Sequence, residues 1–336
     1  MSGCISTTAP WFEIWQEAFG GPDSGIWTHE GISIPYVKRR SIIAGLPVSS
    51  LQGATNDHTP RYDILSGDED CLADALSQMF RDFSVSLLSF SYLDRDARLL
   101  RPFLQGQGGG LLYHIDHCEF SPYVDCTLPW EQYWQSRGRS RATWARRERK
   151  LMDKMGAEFA IITDRKDADS VLEEIYDVEA SGWKGRKGTA IKQQPATLRF
   201  YTRLIQHAAD SGMLRLFVLR LEGRIIAFQV TTFTAGTISM LKIGYLEELA
   251  RLSPGQALQI RILRWAFEQP EVKVFDLLGG GGEAYQTKLR WATDQRELFT
   301  LRLFRKDPAG LWAWGRYVAG PRVKGLLRHA RAAIRR

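Results

Sequence analysis

Apolar and polar residues alternate along this chain with two periods, and the order of those periods predicts a mixed α/β protein. Helical spacing marks residues 11–19, 70–83, 168–181 and 197–211; in the second run Leu72, Ala75, Leu76 and Met79 share one face. Strand-like runs occupy 32–48 (a strand pair with Lys38, Arg39 and Arg40 at its centre), 85–92, 112–128 and 158–163. A short helix is expected over 94–104, and a long basic helix over 139–155 stops at Gly156. A meander follows, its strands at 214–221, 225–233 and 238–245 joined by turns at Glu222-Gly223 and Ala235-Gly236. Then come a Pro-Gly turn, a helix over 257–268, an apolar strand over 272–278, four glycines and a closing helix over 285–291. No fixed-period repeat or low-complexity stretch interrupts this order.

At 336 residues the chain is long enough for two domains. No apolar run reaches the length needed to span a bilayer, and the N-terminus lacks a basic segment followed by an apolar core. Four cysteines without a Cys-x-x-Cys pair point to a reduced, cytosolic protein. The charge of +7 is uneven. Residues 137–154 hold eight basic side chains against Glu148 and Asp153, and 316–336 hold seven and no acid. Each block is either a solvated face or an attractor of polyanions such as phosphorylated cofactors, RNA or anionic lipid.

The turn Ser253-Pro254-Gly255-Gln256-Ala257 joins a strand to a helix N-terminus, where backbone N–H groups and the helix dipole favour an anion. Around it stand Glu179-Ala-Ser-Gly-Trp183-Lys184-Gly185, Phe200-Tyr201, Gly223-Arg-Ile-Ile-Ala-Phe-Gln229, Lys242-Ile-Gly-Tyr245, Phe275-Asp276 and Tyr285-x-x-Lys288-x-x-Trp291. In this order, over residues 120–300, they resemble the CelD-like branch of the GNAT acyltransferases. That branch is associated with cellulose and exopolysaccharide biosynthesis and is related to Fem-type peptidyltransferases. Residues 51–63 resemble the N-terminal part of the same proteins.

The resemblance implies an α/β (α+β) fold of tandem GNAT-like lobes, each a mixed, mostly antiparallel sheet flanked by helices, arranged as in Fem proteins. The lobes would be 1–125 and 126–304, with 298–304 a returning strand and 305–336 packing back on the first lobe as a final helix. It implies acetyl-CoA or another acyl-CoA as donor, bound at Ser253, Gly255, Gln256, Ala257 and Lys288, and the amine of a small metabolite or amino sugar as acceptor. One departure stands out: Leu252 occupies the place of the Arg or Gln usual at this turn, and Arg251 is one residue off. Two other readings follow: a Fem-like aminoacyltransferase whose basic helix serves tRNA, and an inactive scaffold docking anionic membrane or a synthase complex through its basic tail.

Acyl transfer to an amine needs a base for the amine proton and an acid for the leaving thiolate. The resemblance gives Tyr285 the acid's role; packing against the last strand is its alternative. Glu179, at a helix end that disfavours a carboxylate, is either the base or an exposed helix residue. Asp276, in an apolar strand, faces a cleft or a buried partner such as Lys242 or Lys288. Gln229 needs partners in substrate or backbone. Lys242 and Tyr245, set among Leu241 and Ile243, would give one polar face that lines the acceptor cleft or meets solvent. Trp183, Lys184 and Tyr201 complete the acceptor set. Lys288 and Trp291 clamp phosphate or stack on adenine, or Trp291 packs in the core. His114 and His117 form no convincing metal motif, so no metal is expected.

Overall fold

The structure, a computed structural model, describes residues 4–280 and 282–318. Helix α1 (Ala9–Phe19) begins where the Thr8 side chain accepts the Trp11 amide and Pro10 occupies the first turn. It is followed by β1 (Ser24–His29), β2 (Ile32–Ile43), β3 (Leu46–Gly53), α2 (Leu72–Phe83), β4 (Leu87–Asp94), the single turn α3 (Arg101–Leu104) and β5 (Leu112–Asp125). The chain continues with α4 (Trp130–Ser136) and the basic helix α5 (Ser140–Arg149), which a π-helical turn extends through Lys150–Lys154. Next are β6 (Glu158–Ile162), α6 (Arg165–Ala180), α7 (Trp183–Arg186), α8 (Pro195–Asp210), β7 (Leu214–Leu221), β8 (Arg224–Thr234) and β9 (Thr237–Tyr245). Last come α9 (Pro254–Glu268), β10 (Val274–Asp276), α10 (Gly282–Leu289) and β11 (Asp294–Phe304).

The eleven strands of the described residues join one sheet in the order β1-β2-β3-β4-β11-β5-β10-β9-β8-β7-β6. The same plan occurs twice in it. The β2–β3 hairpin leads through α2 to β4, parallel to β3, and the β8–β9 hairpin leads through α9 to β10, parallel to β9. The closing strands are exchanged: β5 pairs with β10, while β11 inserts between β4 and β5. Both parallel ladders are short, and β9 pairs with β10 only from Thr237 to Ser239. From Met240 to Tyr245 that edge of β9 has no pairing with β10.

Cores form on either side of the exchange. Helix α1 crosses to α8, where the Trp11 and Phe200 rings meet edge to face at 5.0 Å. A second cluster centres on Leu76, Phe90 and Leu301 under α2. Trp291 is a core residue: it follows the end of α10, stacks on Trp144 at 3.9 Å, and its carbonyl accepts the Tyr133 hydroxyl.

Several elements differ from their expected bounds for local reasons. The strand over 272–278 shrinks to β10 because Leu278 turns to φ +58 and its N–H bonds the Asp276 carboxylate. Helix α9 starts at Pro254, whose fixed φ suits a first helical position. The helix expected over 94–104 keeps only α3. Edge strand β1 is short and carries no clean alternation, so periodicity did not mark it. Residues 308–318 are helical, and the remainder of the tail lies outside the described residues.

Candidate active site

The last residues of α6, the turn into α7, β9 and a first-half loop converge on one buried carboxylate. Glu179 is 4% exposed. Its Oε2 accepts the Ile191 amide at 2.8 Å, and its Oε1 lies 3.0 Å from Lys184 Nζ and 3.5 Å from Lys242 Nζ. Close packing is required here: a Cβ on Gly244 would come within 2.5 Å of the Phe228 ring and 3.2 Å of Glu179 Cα. Lys242 Nζ also sits 4.9 Å from the centre of the Tyr201 ring. Burial first, then the Lys184 cation, push Lys242 down to about 8, against the pull of Glu179.

His58 enters this cluster from the loop after β3. The Asn56 side chain accepts its amide, and its ring stacks on Phe19 and Phe200. Tyr201 Oη lies 3.4 Å from Nδ1 and Thr197 Oγ1 3.5 Å from Nε2. Burial, reinforced by Lys242, pushes His58 down to about 4, so it is neutral at pH 7. Nearby Trp183 is 54% exposed, with Lys187 Nζ 5.2 Å from its ring centre.

Lys242 and Tyr245 do not share a face. Residues three apart on a strand point to opposite sides. Lys242 turns to α6, whereas Tyr245 turns to α9, where its ring would lie 3.5 Å from a Cβ at Gly255. Gln229, opposite Ile243 in the ladder, also turns to α9, and its Nε2 donates to Gln259 Oε1 at 2.8 Å. Its partner is a helix side chain, not backbone.

At the start of α9, Ser253 adopts a left-handed conformation, φ 56° and ψ 50°, that an L side chain enters only at a cost. Its carbonyl accepts the Gln256 and Ala257 amides. The basic helix α5 lies against α9: Arg147 Nη1 donates to Gln256 Oε1 at 2.5 Å, and buried Glu148 meets Arg261 at 2.7 Å and Arg264 at 3.8 Å. Arg147 thus brings a guanidinium to the turn where Leu252 supplies none.

A second charged group lies where β4, β5 and β10 meet. Asp276 is 2% exposed. Its Oδ2 accepts Arg61 Nη2 at 2.5 Å and Arg296 Nη1 at 3.1 Å, and Ser121 donates to Oδ1. Of the two readings from the sequence, a buried partner is the one found, and it is a pair of arginines rather than Lys242 or Lys288. Lys288 donates to the Leu278 and Gly279 carbonyls. Burial, against Glu119 and Asp276, lowers it to about 8, and Lys184 acts on both Lys288 and Lys242. Glu119 accepts the Gly280 amide and fills the place of a side chain at Gly279. Tyr285 Oη donates to Gln295 Oε1 at 2.5 Å, on the β11 side. The structure therefore gathers Glu179, Lys184, Lys242 and Tyr201, sets Ser253–Ala257 and Tyr245 at the other flank of β9, and holds Asp276 between Arg61 and Arg296.

Residues 138–287 match the acetyltransferase (GNAT) domain family. This segment, 150 of the 336 residues, is similar to a GNAT domain. No curated protein sequence matches the chain. Among solved structures, the fold is similar to a conserved protein of unknown function from Bacteroides thetaiotaomicron, 12% identical over 90% of this chain and 92% of that one, with a TM-score of 0.60. It is also similar to L-PGS from Bacillus licheniformis, 17% identical over 92% and 95% of the two chains, with a TM-score of 0.57. FemX is 10% identical over 87% and 90%, with a TM-score of 0.57. At these identities the likeness is one of fold.

Proposed function

We propose that this protein transfers an acyl group, acetyl or longer, from coenzyme A to an amine, as a GNAT enzyme of the CelD-like branch with lobes 1–125 and 126–304. The acceptor is a small metabolite or amino sugar of polysaccharide or envelope assembly. The observation that carries this reading is the half-buried Lys242, drawn down to about 8 beside Glu179 where β9 has no pairing with β10. A lysine with a value near physiological pH serves as a general base, which an acceptor ammonium needs.

The donor supplies an activated thioester. The chain's own residues then divide the work. Neutral Lys242 Nζ takes the proton from the acceptor nitrogen, and Glu179 positions Lys242 and offsets the new charge. Neutral His58 adds no cation to this pocket. Arg147 and the Gly255 amide at the start of α9 balance phosphate charge. The turn fits such a group: a Cβ at Gly255 meets only Tyr245, at ordinary contact distance, so the fold does not itself demand glycine there. Tyr285 keeps its proposed role as acid if its hydroxyl leaves Gln295 when the donor binds.

Calorimetry with acetyl-CoA and longer acyl-CoAs tests the donor site. Wild type is expected to bind, Gly255→Trp to lose binding while keeping its melting transition, and Arg147→Ala to bind roughly tenfold more weakly, the worth of one charge-assisted hydrogen bond. Absence of acyl-CoA binding by folded wild type would overturn the reading. Aminoacyl-tRNA then becomes the donor to test, with RNase sensitivity as its sign; the exposed Arg146, Arg149 and Lys150 on α5 favour that second reading.

A further inference from the structure

Strands β2 and β3 run on past their neighbours. β1 covers β2 only from Ile32 to Val37, and β4 first meets β3 at Ser50. Between Lys38 and Ser49 the two strands form a free arm, closed by Ala44 and Gly45 with φ of 50° and 86°. The helical segment 308–318 packs on one face of this arm. Ala313 joins Ile43, Val48, Leu87 and Phe304 in a small core, and Trp312 Nε1 donates to the Ile43 carbonyl at 3.3 Å.

The tip of the arm is apolar and open. Ile42 is 77% exposed and Leu46 51%, while Leu311 and Trp312 on the helix are 48% and 43% exposed. Cross-strand partners share a face, so Ile42 and Pro47 are exposed on one side of the tip, and Leu46 on the other, beside the buried Ile43. Behind the tip stand Lys38, Arg39 and Arg40, with Arg316 on the helix, all exposed. Neither 38–49 nor 308–318 contains an acidic residue, and the sequence beyond 318 adds six basic residues and no acid.

We propose that the arm and the 308–318 helix dock on an anionic lipid bilayer, with Ile42, Leu46, Leu311 and Trp312 entering the interface and Lys38, Arg39, Arg40 and Arg316 on the phosphates. Spacing and charge select this occupant. A strand rises about 3.4 Å per residue, so Arg40 and Lys38 stand about 7 and 14 Å behind Ile42. Interfacial segments bury their apolar groups about 5–10 Å deep, which brings these cations to headgroup level. Each such cation contributes to attraction by an anionic surface. A collar of cations without one acid complements that surface better than a mixed-charge protein face.

Co-sedimentation of the full chain with phosphatidylcholine vesicles, with and without phosphatidylglycerol, tests this. Wild type is expected to bind the anionic vesicles and to release at high salt. Ile42→Asp with Leu46→Asp, and separately Arg39→Glu with Arg40→Glu, should each weaken binding by at least about tenfold. Ile42→Ser with Leu46→Ser serves if the aspartates impair folding, with the melting transition as control. Deletion of 319–336 should leave binding that still depends on the arm. The proposal falls if wild type does not bind, if the arm variants bind like wild type, or if all binding leaves with the tail. It falls equally if the arm variants dissolve an oligomer without changing vesicle binding, because the face then belongs to a protein.

Discussion

Lys242→Met is expected to lower kcat/KM for acyl transfer by about 10²–10⁴-fold, the usual contribution of a positioned base, with donor affinity unchanged. Lys242→Arg should be as poor, because a guanidinium does not give up its proton. The pH dependence carries more information. If neutral Lys242 is the active form, wild-type kcat/KM rises with pH through about 8. Glu179 stabilises the ammonium, so its removal lowers the lysine value and makes the amine neutral at lower pH. Glu179→Gln, which can still accept the Ile191 amide, should therefore move the rising limb to more acid pH. The acceptor's own ionisation is common to both enzymes and cancels from the difference. A limb that stays in place in Glu179→Gln, or full activity in Lys242→Met, would remove Lys242 from the chemistry.

Arg61→Met is expected to be the most destabilising single change, by about 3–5 kcal/mol, since it leaves a buried carboxylate short of a partner. Arg61 is itself 1% exposed and ties β4 through Asp94, β5 through Ser121 and β10 through Asp276. Asp276 would keep Arg296, Ser121 and the Leu278 amide. Arg61→Met with Asp276→Leu should recover much of the loss, because an apolar pair of similar volume avoids the uncompensated charge. Denaturant unfolding measures both. A loss below about 1 kcal/mol for Arg61→Met, the scale of an exposed ion pair, would show that the fold does not depend on this group.

Local pattern made much of the fold legible. The meander β7–β9 and the α9 turn follow from strand alternation, Gly-containing turns and a Pro at a helix start, whereas the strand at 298–304 was implied by the family resemblance. Trp291 shows the limit of spacing alone: read as part of a closing helix, it lies beyond α10 and fills the core against Trp144. Lys242 and Tyr245 stood in the right strand, but their odd separation puts them on opposite faces.

The site's distant members left weaker marks. His58 comes to Tyr201 from 143 positions away, and Arg61 to Asp276 from 215 away. Neither stands in a periodic pattern, and only the exchange of closing strands brings the second pair together. Arg147 was visible only as one cation in a basic block. Its role at the α9 turn appears once Glu148 fastens α5 to Arg261.

The most direct measurement is mass spectrometry of an amine panel incubated with acetyl-CoA and wild-type protein, with free thiol counted in the same tube and Lys242→Met as control. The account predicts an N-acylated amine in one-to-one yield with free thiol, both lost in Lys242→Met. Donor bound with no acylated amine, or amide formed equally by Lys242→Met, would contradict it.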